Sequence, residues 1–217
     1  CSGLVGSEMC IRDRDSIDRG LLVWLHENHV PILNQVMPFI TDADNWTIPI
    51  LFLILYLGFF EGKRGKIALC LLIISLSIND YICAQILKPT FERVRPSHMS
   101  IEGLNLLVSK GGKWSMPSNH ASNMFSLAVI LSYFFGRFKL TLFLLATIIG
   151  ISRVYVGVHY PGDVMIGALV GYSISWVIIT LWVILKMREL KRRQTWVWYE
   201  SEPVSYTHLT LPTTRLV

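Results

Sequence analysis

Charge is what this sequence has least of. Only 16% of its 217 residues are Asp, Glu, Lys or Arg, against about 25% in a soluble domain. The deficit is concentrated. Runs near 45–60, 67–87, 119–135, 140–156 and 164–185 are almost free of charge. Most of them approach the ~20 residues that cross a bilayer as a helix, and the mean hydropathy is +0.47. Cysteine is scarce as well. Of four, Cys70 and Cys83 fall on one expected helix, roughly 20 Å apart at 1.5 Å per residue, too far to bridge each other. They are expected to pack, not to cross-link. Acidic clusters of the kind that hold a metal are missing, and so is any basic tract interleaved with aromatics. A metal centre and nucleic-acid binding are therefore set aside.

What remains is an all-α, polytopic membrane helical bundle. It has about five transmembrane helices and one N-terminal interfacial helix. The interfacial segment is expected within 16–40, where Leu21, Leu22, Val23, Trp24 and Leu25 precede His26, Glu27, Asn28 and His29, and Pro31 opens a second apolar run. Helical spacing broken by polar residues suits a helix lying in the headgroup layer. His26 and His29 read as interfacial polar residues, since no carboxylate or Cys cluster joins them. Trp24, Trp46 and Trp114 fit an interfacial belt. The domain is taken as residues 16–200. The flanks 1–15 and 201–217 lack periodicity and a signal-peptide core. They resemble translated adapter sequence, and are expected to be non-native and to lack order.

Basic residues cluster in the short turns 62–66 and 136–139 and after the last apolar run, at 186–193. Positive charge on cytoplasmic turns places these three inside. The connection 88–117 and the turn 157–162 then face outward. That long connection is itself basic, which weakens the asymmetry and calls for another explanation.

The explanation lies at the ends of the expected spans. Lys88 stands where the second span leaves the membrane, and Arg95 follows it. Pro117, Ser118, Asn119 and His120 open the third span, Arg153 lies near the end of the fourth, and His159 and Asp163 flank the start of the fifth. Counting crossings puts all of them on one face of the membrane. Helix N-termini present free N–H groups to anions. Arg forks phosphate oxygens, and Lys adds a point charge. Pro161 and Asp163 suit the first turn of a helix, and a carboxylate beside a histidine can orient its ring as a nucleophile or base. Singly, each residue has a plainer reading: a snorkelling cation, a Ser cap, a loop histidine. Together they describe an oxyanion site.

The same residues carry a family resemblance. Lys88-Pro89-Thr90-Phe91-Glu92-Arg93-Val94-Arg95-Pro96, Pro117-Ser118-Asn119-His120 and Ser152-Arg153 through His159 to Asp163 resemble the three-part signature of the type 2 phosphatidic acid phosphatase superfamily, in its bacterial membrane branch. The resemblance spans roughly 20–190. It implies an integral-membrane hydrolase acting on a lipid phosphate or diphosphate, without metal or cofactor. His159 would be the nucleophile that becomes a phosphohistidine, Asp163 its orienting carboxylate, and His120 the acid and then the base. Lys88, Arg95, Ser118, Asn119 and Arg153 would bind phosphate. Asn119 departs from the usual Gly, although Asn tolerates left-handed backbone best among other residues. Undecaprenyl diphosphate is the first substrate expected, with phosphatidylglycerol phosphate and a lipid A phosphate behind it. The implied site lies in the bacterial inner membrane and faces outward, with the bilayer as its partner. A transporter would place its charges at mid-membrane, not at span ends, and a vanadate-dependent peroxidase of the same superfamily would be soluble.

Overall fold

A computed structural model describes the backbone of residues 4–193 and the side chains of 15–192. The expected tail 201–217 lies outside them. The helices are α1 (Leu4–Glu27), α2 (Leu33–Thr41), α3 (Thr47–Leu55), α4 (Gly62–Tyr81), α5 (Lys88–Phe91), α6 (Asn119–Phe134), α7 (Lys139–Tyr155) and α8 (Pro161–Arg193). Among the described residues there is no strand, only one antiparallel bridge between Val94 and Trp114. The all-helical expectation holds.

Backbone from Leu4 to Asp15 is helical and continuous with the rest of α1. Once a turn is nucleated, adding residues to it costs little.

Among the described residues, three helices are long and apolar enough to cross a membrane: Gly62–Phe91, Gly136–Tyr155 and Pro161–Arg192. The first joins α4 to α5 through a π-helical stretch, Ile82–Leu87. A fourth crossing is available as a bent pair, Leu33–Thr41 with Asp44–Phe60, which meet at 69°. The expected third span is α6, and it differs in kind. Its 16 residues reach only about 24 Å. It packs against α4, α7 and α8, with Ala121, Ser122, Ser126, Ala128, Val129 and Ile130 buried. A helix surrounded by protein needs neither the length nor the greasiness of one facing lipid.

Small residues make this packing close. A Cβ on Gly171 would overlap the Ser122 carbonyl, and one on Gly167 would crowd Ser118. Gly167 and Gly171 are four apart, so they form one strip of α8 against α6, the small-residue contact typical of membrane helices. One turn further, Ser175 Oγ lies 2.7 Å from Ser126 Oγ and 3.0 Å from Ser75 Oγ, and Ser75 is 2.7 Å from Ser126. This knot of three fully buried hydroxyls ties α4, α6 and α8 together. Below it Ala68, Leu71, Val129, Ile130, Phe134 and Ile179 form the apolar core. The two basic turns meet beyond that core, where the Arg64 guanidinium sits 4.7 Å from the Phe135 ring.

At the opposite end the connection 88–117 is clasped at its base. Arg95 N–H donates to Lys113 O at 3.0 Å, and Ser115 N–H to Arg93 O at 2.7 Å. The segment between α5 and this clasp turns at Glu92, which takes a left-handed conformation with φ of 46°. His26 fastens the connection from the other side. Its Nδ1 accepts the Asn105 N–H at 3.2 Å, which leaves Nε2 to donate to Val154 O at 3.3 Å. This corrects the expectation that His26 is interfacial: it is buried, with both ring nitrogens in use. His29 stacks on Tyr155 at 4.2 Å.

Candidate active site

The first turn of α8 is built as its sequence suggests. Pro161 occupies the first helical position, where a missing N–H costs nothing. Asp163 reaches back so that its Oδ2 accepts the Tyr160 N–H at 2.9 Å, the reciprocal contact of a capping box. That same Oδ2 stands 3.6 Å from His159 Nδ1, a little beyond hydrogen-bond length. Asp163 is wholly buried and His159 is 1% exposed.

Arg93 holds the other carboxylate oxygen. Its Nη1 donates to Asp163 Oδ1 at 2.9 Å, while Nη2 lies 2.9 Å from Asp15 and 2.8 Å from Asp18. The guanidinium also covers the Tyr160 ring at 4.2 Å. Burial works against the Arg93 charge, but Asp163, Asp18 and Asp15 outweigh it and raise its pKa. Asp18 further accepts the Gly162 N–H at 3.0 Å, so α1 caps the start of α8 from outside. The sequence marks Arg93 only as a basic residue of the first motif segment, and gives Asp18 and Asp15 no role.

Arg95, two residues on, points the other way, as alternation along an extended segment requires. Its Nε donates to Trp114 O at 3.0 Å, and its guanidinium packs where a side chain at Gly111 would otherwise sit. Burial lowers its pKa. Arg153 Nη1 donates to Thr41 Oγ1 at 2.8 Å. Lys88 feels the fields of both Arg95 and Arg153.

The start of α6 is tied to that of α8 by backbone, with Ser118 N–H donating to Asp163 O at 3.0 Å. Ser118 is the N-cap residue, yet its hydroxyl makes no capping bond. Ser118 Oγ, Asn119 Oδ1, Arg153 Nε and His159 Nδ1 are all buried without a hydrogen-bond partner. Buried polar atoms are rarely left so, and four of the eight residues expected to act on phosphate supply them. Burial also pushes the His159 imidazole down to about 4, against the pull of Asp163. The ring is therefore neutral, and nucleophilic, at neutral pH.

Two cavities meet here. One, of about 630 Å³, is polar and is lined by Arg95, Arg153, His120, Thr41, Ser109 and Gly111 among others. The second, of about 500 Å³, runs between apolar side chains of α3, α6 and α7, including Ile50, Leu53, Leu127, Leu142 and Ile149. Thr41, Ala43 and His120 belong to both. Asn119 lines the apolar cavity and not the polar one, and its Nδ2 donates to Asp80 at 3.0 Å. Among the described residues no group of three His, Cys, Asp or Glu could hold a metal ion.

The arrangement resembles known proteins. The family described as the PAP2 superfamily matches residues 65–186. The chain is 32% identical over 170 residues to a lipid A 4'-phosphatase of Bacteroides thetaiotaomicron, covering 74% of this chain and 75% of that one. It is 32% identical over 162 residues to an undecaprenyl-diphosphatase of Sulfolobus acidocaldarius, covering 72% and 74%. The crystal structure of Aquifex aeolicus LpxE superposes with a TM-score of 0.62 at 28% identity, over 74% of this chain and 93% of that one.

Proposed function

The chain belongs to the PAP2 superfamily and is a membrane phosphate ester hydrolase, and from that premise we propose how it works and on what. His159 Nε2 attacks the phosphorus of a lipid phosphate. The bond from phosphorus to the leaving oxygen breaks, and His120 gives that oxygen a proton. Water then attacks the phosphohistidine, with His120 taking its proton, and inorganic phosphate departs. Asp163 keeps the His159 ring oriented and stabilises the charge the ring acquires. Lys88, Arg95, Ser118 and Arg153 bind the phosphate oxygens, whose charge grows at the equatorial positions, so that positioning and electrostatics do most of the catalysis. No step calls for a metal.

One observation carries this reading: the polar and the apolar cavity share His120. A phosphate fits among the arginines while the lipid part lies along α3, α6 and α7, and the bond to be cut falls beside the proton donor. Two lipid classes fit that geometry, a sugar- or glycerol-linked monophosphate and undecaprenyl diphosphate, the first expectation. Named relatives exist for both. The site faces outward from a cytoplasmic membrane, supported by the meeting of the two basic turns at the other end of the bundle.

The test is phosphate release in detergent micelles without added metal, from lipid A, phosphatidylglycerol phosphate and undecaprenyl diphosphate. Release from at least one, lost in His159→Ala, supports the reading. Release that survives the substitution overturns the assignment of the nucleophile.

A further inference from the structure

One carboxylate sits on the wall of the apolar cavity. Asp80 lies within the apolar helix Gly62–Phe91, eight residues before Lys88. A carboxylate inside a spanning helix is costly, and it marks function more often than not. Here it belongs to a braced cluster. Its Oδ1 accepts an N–H from Asn119 and another from Asn123, each at 3.0 Å. Asn123 Oδ1 in turn accepts from Asn79 at 2.6 Å, and Asn79 Oδ1 from Ser122 at 2.6 Å. The chain of bonds fixes which end of each amide is the oxygen. Two acceptors are then left over: Asp80 Oδ2, which has no hydrogen bond among the described residues, and Asn119 Oδ1, which is buried without a partner. Asp80, Asn119 and Asn123 line the same cavity as His120.

We propose that Asp80, held by Asn119 and Asn123, selects the leaving group: it accepts hydrogen bonds from the hydroxyls of a sugar or polyol that carries the scissile phosphate, and repels a leaving group that is itself a phosphate. This rests on the reading in which His120 protonates the leaving oxygen, because that places the rest of the leaving group on the Asp80 side. An acceptor with a formal charge binds a hydroxyl more strongly than a neutral one does. A site built around such a bond rejects an analogue lacking the hydroxyl. Towards a departing phosphate the same carboxylate acts in reverse, through like-charge repulsion across the cavity. The favoured class is therefore a hydroxyl-bearing lipid monophosphate, and undecaprenyl diphosphate is disfavoured.

Three probes separate the contributions in the full chain in micelles. Lipid A phosphate has a hydroxyl near the leaving oxygen, diacylglycerol phosphate has none, and undecaprenyl diphosphate releases undecaprenyl phosphate, a leaving group that is itself a phosphate. Asp80→Asn keeps the shape and removes the charge. It should raise kcat/KM on the diphosphate relative to lipid A phosphate by about tenfold or more. Asp80→Ala removes the acceptor, and should lower lipid A phosphate relative to diacylglycerol phosphate by a similar factor. If turnover of all three falls together in both variants, Asp80 merely holds the start of α6 and the proposal is overturned. If the wild-type protein cleaves diacylglycerol phosphate and the substitutions leave every ratio fixed, the Asp80 assignment fails alone. A wild-type protein that cleaves none of these three lipids, nor phosphatidylglycerol phosphate, overturns the substrate reading and this assignment with it.

Discussion

Arg93 and Asp163 are joined by a 2.9 Å bond from Nη1 to Oδ1, and that bond decides how Asp163 can face His159. A carboxylate free to rotate would offer its ring-facing oxygen only part of the time. Here one oxygen is held by Arg93 and the other by the Tyr160 N–H. In the proposed mechanism Arg93 acts through Asp163 rather than on the phosphate. Arg93→Ala should lower kcat by roughly tenfold to a hundredfold, the worth of one or two charged hydrogen bonds, and leave KM nearly unchanged. Arg93→Lys should restore part of it. A rise in KM with kcat intact would make Arg93 a phosphate ligand instead.

The anchoring of α1 gives a second expectation. Asp18 meets both Arg93 and the Gly162 N–H, so Asp18→Ala should also lower kcat. Combined with Arg93→Ala its effect should be clearly less than additive, as for residues of one network. Full additivity in a double-mutant cycle would mean that the two act separately.

The two histidines should divide by leaving group. His159→Ala should reduce turnover of every substrate to background. His120→Ala should cost an alkoxide leaving group roughly 10²–10⁴-fold and an activated nitrophenyl phosphate much less. Equal losses on both esters in His120→Ala would remove it from the role of proton donor.

The low His159 pKa has a stability consequence with a definite sign. The ring titrates at about 4 in the fold, against 6.5 unperturbed. Below 6.5 the unfolded chain binds a proton that the folded one refuses. The stability tied to neutral His159 is thus complete above about 6.5, and is lost as pH falls toward 4. Each unit between the two values is worth about 1.4 kcal/mol. Thermal denaturation in detergent should show a Tm falling across this window, and His159→Gln should flatten the fall. An identical slope in the variant would place the titration elsewhere.

Chemistry without a metal gives the last expectation. Activity should survive EDTA, and vanadate, which adopts the five-coordinate geometry of the transition state, should inhibit. Strict dependence on Mg²⁺ would contradict the mechanism.

The sequence carried the three motif segments plainly because each is local. Pro161 and Asp163 belong to one helix turn, and Ser118 to another, and local geometry follows local order. Arg93 was visible as a basic residue but not as a partner of Asp163, because the residues that share it, Asp15 and Asp18, lie more than seventy positions earlier. Asp80 passed as one charge in an apolar run, although a lone carboxylate beside an asparagine inside a span was a usable signal. The short α6 reads as the third span on its apolar length, and its small residues say more about how it is packed. Gly167 and Gly171, with Ser122, Ser126 and Ser175, spell out a helix meant to be gripped by its neighbours. The helical course of 4–14 had no signal, since propagation from α1 depends on the neighbouring turn and not on side-chain pattern.

In the proposed reaction, the wall shared by the two cavities also separates the products. When the bond beside His120 breaks, the phosphoryl group passes to His159 and is then released as phosphate on the side of Arg95, Arg153 and Ser109, while the alcohol is left on the side of Leu53, Leu127 and Leu142. Each product has its own way out. Phosphate leaves into water, and the dephosphorylated lipid slides back into the bilayer without ever being lifted from it. Turnover then needs no desorption of a greasy product, and accumulated phosphate can inhibit by returning to its own chamber while the lipid side stands open to the next molecule.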